Sequence, residues 1–322
     1  MRRLLFVLTF IWGSASAGEP LVLSLPVDCV LGEICFVQNH FDRDPGPGFR
    51  DYAGGQLGYD GHDGLDIRVP DLPAMGRGVA VVAAAAGRVQ AVRDGMADID
   101  ARLINGADIA GREAGNSVVI DHGGAWRSQY SHLRSGSVTV KPGDVVAAGD
   151  VLGMIGMSGN AAFPHVHFAV RRDGVTVDPF GGAGLELLWD DAALAALAYT
   201  PSGILAAGFT TRSPLWPEAR RGDYGVGAPG RDAPALVFWT SIFGGQAGDQ
   251  IVLQLIAPGG AIVAKNSLSL KKAKAQYFSF AGRKRPGESW PAGVYRGEYR
   301  LYREIDGALR ELLSTVREIT LP

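Results

Sequence analysis

The sequence predicts an all-β protein in two parts, and three observations carry that prediction. Glycine, at 45 of 322 residues, is roughly double its usual share. It follows no fixed period, so the chain reads as short strands joined by tight turns. Valine-rich runs separated by turn residues occur on both sides of one Ala/Leu-rich stretch. The length suits two domains, each able to bury its own core. Hydrophobic residues at 47% and charged ones at 20% exclude a disordered chain, and the glycine pattern excludes a helical bundle or a collagen. The 31 basic and 33 acidic side chains nearly cancel, and no nucleic-acid motif accompanies them, so no nucleic-acid partner is expected.

Taken in order, Arg2 and Arg3 precede the apolar run Leu4 to Trp12 and the small residues Ala15-Ser16-Ala17, the three-part pattern of a signal peptide over 1–17. That run is too short to span a bilayer, which needs ~20 apolar residues. The expectation is an exported protein, periplasmic or secreted, with no membrane span in the mature chain. Residues 18–49 form an extension holding both cysteines, Cys29 and Cys35. In an oxidising compartment these would close a small disulfide loop; two free thiols or half a metal site are the alternatives, and CxxC spacing is absent. Asp42 to Gly48 is turn-rich.

From 50 to 182, strands are expected at 118–120, 126–133, 138–140 and 166–170, with turns at Lys141-Pro142-Gly143-Asp144 and Gly149-Asp150. The stretch 94–115 breaks the rhythm as a loop or short helix near the rim. Residues 183–200 read as a linking helix capped by Asp190 or Asp191. Beyond 201, strands at 235–242, 250–256, 261–270, 276–280 and 294–303, then an Asp306-Gly307 hairpin into 309–321, suggest an immunoglobulin-like β-sandwich acting as an accessory domain. It lacks the cysteine pair of antibody domains. Residues 260–322 carry 12 Lys/Arg against 6 Asp/Glu. A solvated sheet face accounts for that excess, and weak attraction to a polyanionic envelope is the functional alternative.

The chemistry lies in the histidines. His62 and Asp66, in Gly61-His62-Asp63-Gly64-Leu65-Asp66, share one side of an extended segment. His165 and His167, two apart at the start of a strand, point to one face, with Val166 and Phe168 on the other. In Gln129-Tyr130-Ser131-His132-Leu133, alternation places His132 with Trp126, Ser128 and Tyr130. Each motif alone is weak. Together, His62, Asp66 and one histidine of the pair give three N/O ligands and an open fourth position, the form of a catalytic zinc site. The two spare histidines then serve proton transfer and charge stabilisation. HExxH, GxSxG, P-loop and GxGxxG motifs are missing.

In this order, His62-Asp63-Gly64-Leu65-Asp66, Tyr130-Ser131-His132-Leu133 and His165-Val166-His167 closely resemble the lysostaphin/LytM-type zinc metallopeptidases, the murein endopeptidases of the duplicated hybrid motif fold. Lys141-Pro142-Gly143-Asp144, Gly156-Met157-Ser158-Gly159-Asn160 and Val177-Asp178-Pro179 are also similar. The resemblance covers about residues 50 to 180 and implies a glycine-rich β-sheet or barrel-like peptidase domain, placed at 50–182. It implies one zinc ion on His62, Asp66 and His167, catalytic roles for His132 and His165, and peptidoglycan peptide cross-links as substrate. Other cell-envelope proteins are possible partners. The alternative is a non-catalytic envelope protein of the same fold that binds and activates another wall hydrolase. Two departures bear on groove shape: Asn160-Ala161-Ala162-Phe163-Pro164 replaces the usual approach to HxH, and Ala169 stands where an acid is often found. His40 and His122 match no motif, and His122 is expected in a turn.

Overall fold

Alternating apolar and polar residues build two sets of strands, separated by a short helix whose N-terminus is capped by Asp190. The computed structural model describes residues 21–182, 184–224, 227 and 229–322; the expected leader at 1–17 lies outside them. The first set is β1 (Val27–Asp28), β2 (Phe36–Asn39), β3 (Leu65–Arg68), β4 (Ala80–Val82), β5 (Gly87–Arg93), β6 (Asn116–Gly123), β7 (Trp126–Leu133), β8 (Val145–Val146), β9 (Val151–Met154), β10 (His165–Arg172) and β11 (Val175–Val177). Helix α1 (Leu72–Arg77) follows β3, and α2 (Asp191–Ala196) is the linking helix. All the strand pairings are antiparallel. One sheet runs β1-β4-β9, and the larger runs β2-β3-β10-β7-β6-β5-β8 with β11 against β10.

Strand alternation decides which side chains fill the space between these sheets. Leu65, Ile67, Val166, Phe168 and Val170 of the large sheet share one core with Val81, Leu152 and Ile155 of the small sheet and its flanking segments. The residues between them, Asp66, His165 and His167, take the opposite face. The segment expected as an extension is woven into this unit: β1 pairs with β4, β2 pairs with β3, and Leu23 is fully buried. Cys29 and Cys35 form a disulfide with Cα atoms 6.3 Å apart.

Three local expectations need correction or refinement. Val138–Val140 forms no strand; Thr139 N donates to Leu152 O (3.0 Å), and the Lys141–Asp144 turn ends the run before a ladder develops. His122 lies within β6, one residue before its end, instead of in the turn, which Gly124 and Ala125 make, Ala125 at φ 66°. The irregular stretch 94–115 contains two 3₁₀ turns, Ala101–Leu103 and Gly106–Ile109.

After α2 come β12 (Gly203–Thr210), α3 (Trp216–Arg221), β13 (Ala235–Gly245), β14 (Gln250–Ile256), β15 (Ile262–Ser269), β16 (Lys274–Lys284), β17 (Gly293–Ile305) and β18 (Ala308–Leu321). They make a three-stranded sheet, β12-β13-β16, and a four-stranded sheet, β15-β14-β17-β18. Phe238, Ile251, Leu253, Trp290, Tyr295 and Tyr299 fill the space between. In the constant-type immunoglobulin arrangement the fourth strand joins the first, second and fifth. Here the fourth, β15, pairs with the third, β14, so the two-sheet sandwich is present with that strand on the other sheet. A small apolar cluster of Phe36, Leu57, Leu205 and Phe243 joins the sandwich to the first unit. Among the described residues no helix is long and apolar enough to cross a membrane.

Candidate metal centre

Sheet register assembles the site. On β3, Asp66 lies directly opposite Asn39 of β2 on one side and His167 of β10 on the other, and His167 in turn faces Ser131 of β7. Cross-strand neighbours on one face are close enough to touch. Asp66 Oδ1 lies 2.9 Å from His167 Nδ1 and 3.1 Å from His62 Nε2, and these two nitrogens are 3.2 Å apart. A tetrahedral ion with bonds of ~2.0–2.1 Å has ligands about 3.3–3.4 Å from one another, so this triangle of N, O and N donors fits zinc.

The surroundings aim these atoms inward. His62 Nδ1–H donates to the His40 carbonyl (2.7 Å), which leaves Nε2 free for the cluster. Asn39 Nδ2 donates to Asp66 Oδ2 (2.7 Å), leaving Oδ1 for a ligand role. On the far side of the His167 ring, Nε2 lies 3.2 Å from Asp63 Oδ1. Burial alone would raise the pKa of Asp66, but the charges of His62 and His165 and bonds from His167 and His62 hold it well below the usual carboxylate range. Burial would lower His167, but hydrogen bonds to Asp63 and Asp66 prevail and lift it to about 9.

His165 and His132 stand beside the triangle. His165 Nε2 is 3.6 Å from Asp66 Oδ1, and the His132 and His165 rings are 4.7 Å apart. His165 Nδ1–H donates to the Phe163 carbonyl (2.8 Å) and His132 Nδ1–H to the Ser158 carbonyl (2.8 Å). Each therefore presents the Nε2 lone pair, a proton acceptor, away from its anchoring carbonyl. Burial pushes both imidazoles down, His132 to about 3, which keeps them neutral near pH 7. All five residues expected from sequence thus come together on one face.

The route by which His132 reaches that face differs from the expectation. Tyr130 is fully buried in the core, its hydroxyl accepting from Ala84 N (2.8 Å). His132 instead lines an open cleft with Tyr59, Gln129, Ser131, Asn160 and Arg171. Its backbone, at φ 63°, is left-handed, which interrupts the two-residue alternation of β7. Sequence reasoning also left out Asn39, His40, Asp63, Ser158 and Phe163. Asp63 and Ser158 lay inside quoted motifs and Phe163 in the approach to HxH; Asn39 and His40 had no signal, because they act from a distant segment.

Residues 60–179 match the family model described as Peptidase family M23, within a mostly β protein. Over 55 residues the chain is 40% identical to the peptidoglycan DD-endopeptidase ShyA of Vibrio cholerae serotype O1, a stretch covering 17% of this chain and 12% of that relative. The chain thus matches only a small part of ShyA's length. Among solved structures it is similar to the catalytic domain of the prophage-encoded M23 protein EnpA from Enterococcus faecalis (24% identity, 48% of this chain, 95% of that chain, TM-score 0.33). It is also similar to the catalytic domain of lysostaphin from Staphylococcus simulans (23% identity, 42% of this chain, 87% of that chain, TM-score 0.28).

Proposed function

We propose that this chain is a zinc-dependent endopeptidase that hydrolyses peptide cross-links of bacterial peptidoglycan. The observation that supports this reading most is the convergence of His62 Nε2, Asp66 Oδ1 and His167 Nδ1, with two neutral imidazoles beside them. These three residues would hold the metal, which supplies Lewis acidity for attack of water on an amide at neutral pH. His132 or His165, with Nε2 unprotonated, takes the proton of the attacking water. The same imidazole then returns that proton to the leaving amine as the C–N bond breaks, while the other, its Nε2 also unprotonated, accepts a hydrogen bond from the remaining O–H of the attacking water and holds it in line. The cleft is open along Tyr59, Gln129 and Arg171, which suits a segment of an extended polymer. A non-catalytic activator of the same fold would be expected to lack ligands, and here all five side chains are present.

The same reading places the protein outside the cytoplasm, in the periplasm or secreted, supported by the leader pattern and the disulfide. The division proposed is an extension with the disulfide at 18–49, whose β1 and β2 join the peptidase sheets, a peptidase domain at 50–182, a linking helix at 183–200 and a sandwich at 201–322. Digesting purified peptidoglycan with the zinc-loaded protein and identifying the fragments by mass spectrometry tests the activity. Release of no cross-link fragments from any wall type would refute it.

A further inference from the structure

The segment 158–164 holds both proton-transfer histidines by its carbonyls: Ser158 O fixes His132 and Phe163 O fixes His165. Its middle is held by residues outside the β-sheets of the peptidase unit. Ala161 O accepts from Ala101 N (2.9 Å), and Ala162 O accepts from Arg102 Nη2 (3.2 Å) and from Arg220 Nη1 (2.5 Å). Arg220 belongs to α3, between β12 and β13 of the sandwich, and is itself buried. Its other nitrogen, Nη2, lies 2.6 Å from Asp100 Oδ2, and Asp100 is also gripped by Arg102 through both carboxylate oxygens (2.9 and 2.6 Å). Helix α3 is fixed in turn by Trp216, whose ring packs on Phe278 of β16 at 5.9 Å.

We infer that Arg220 is a positioning residue for the His132–His165 pair, so that the sandwich completes the peptidase site instead of merely accompanying it. This rests on the roles proposed above for those two imidazoles. The physical basis is the chain's own connectivity. Ala162 O and Phe163 N belong to one peptide plane, and the Phe163 carbonyl that orients His165 is the next one along. Losing a guanidinium donor at Ala162 frees that plane to rotate, and the loss propagates to the carbonyl on His165. Arg102 alone keeps one longer bond, and it is more exposed than Arg220. A proton carrier displaced by about 1 Å loses on the order of 100-fold in rate.

The test uses the full zinc-loaded chain and the variants Arg220→Gln and Arg220→Lys. Long-range ¹H–¹⁵N spectra of the imidazoles report which nitrogen of His132 and His165 carries the proton, and zinc content and steady-state kinetics on a cross-linked muropeptide are read beside them. The expected result for Arg220→Gln is unchanged zinc content and mixed tautomers at His165. Its kcat falls roughly 10-fold to 100-fold while KM stays within about threefold. Arg220→Lys, which keeps the charge and one donor, recovers part of the loss. Added to His165→Ala, Arg220→Gln costs less than it does alone, because Arg220 acts through the carbonyl that orients His165. Wild-type tautomers and kcat in Arg220→Gln would overturn the inference, as would a loss confined to KM. If Arg220→Gln does not fold, the spectra of Arg220→Lys decide: fully wild-type imidazole signals there, with full kcat, refute the role. If the wild-type protein cleaves no cross-link, the proposed function fails, and the spectra still decide whether Arg220 orients the pair.

Discussion

Asp63 Oδ1 lies 3.2 Å from His167 Nε2, so this ring is held between two carboxylates, with Asp66 on its Nδ1 side. Both ring nitrogens face acceptors, and this arrangement favours the doubly protonated imidazole until a metal takes Nδ1. The folded value of about 9 lies above the ordinary 6.5, so without metal the extra proton is bound throughout the neutral range and is lost as pH rises through about 9. Zinc binding near pH 7 should therefore release about one proton, and affinity should climb with pH and level off above about 9. Calorimetric titration in buffers of different ionisation enthalpy measures that proton. Asp63→Asn should reduce the release at pH 8, and equal heats in all buffers would contradict the assignment.

The metal and proton-transfer roles separate by substitution. Replacing His62, Asp66 or His167 by Ala leaves two protein ligands, so zinc and activity should fall together. Replacing His132 or His165 should leave zinc bound and lower turnover by roughly 10²–10⁴-fold. Elemental analysis beside hydrolysis rates distinguishes the classes. Loss of metal from His165→Ala but not from His167→Ala would reverse the assignment within the pair.

Gly64 tests how closely the site is built. A Cβ there would lie 2.6 Å from the Phe168 carbonyl oxygen and 2.8 Å from His167 Cε1 and Nε2. Gly64→Ala should therefore push His167 out of line, weaken zinc binding and lower stability by roughly 1–3 kcal/mol. Thermal unfolding with and without excess zinc measures both effects. A variant with wild-type Tm and full zinc content would show that β10 yields more easily than this geometry implies.

Asp100 makes the contact with α3 sensitive to acid. Burial raises its value, but bonds from Arg102 and Arg220 prevail and bring it from the ordinary 3.8 to about 2. A depressed carboxylate contributes stability that is present above about 4 and lost as pH falls through about 2. Between pH 4 and pH 2 the wild-type protein should lose stability more steeply than Asp100→Asn. Unfolding midpoints across that range check this, and parallel curves would exclude a contribution from Asp100.

Much of the site was legible in the sequence because β10 keeps strict alternation: His165 and His167 both face Asp66 while Val166 and Phe168 are fully buried in the core. His132 was legible as a motif but not by its face, since one left-handed backbone angle in β7 cannot be read from local polarity. In the sandwich, β14 and the turn at Asp306 and Gly307, both with positive φ, carried strong local signals. Strand β12 was missed because Ala206, Ala207 and Gly208 offer little periodicity; Gly208 sits against the Trp239 ring, a contact only the fold creates. Helix α3 has six residues and no side-chain cap at Leu215, so nothing announced it or the reach of Arg220.

The place of β2 at the margin of the large sheet decides where this molecule can be cut. A fragment trimmed to 60–179 would retain all five histidine and aspartate side chains of the cleft. It would lack the Asn39 amide on Asp66 and the His40 carbonyl on His62, both contributed from just beyond the Cys29–Cys35 loop. Transplanting the recognisable motif region alone would thus leave two of its three donor groups unsupported. The smallest portable version of the metal centre has to start ahead of Phe36.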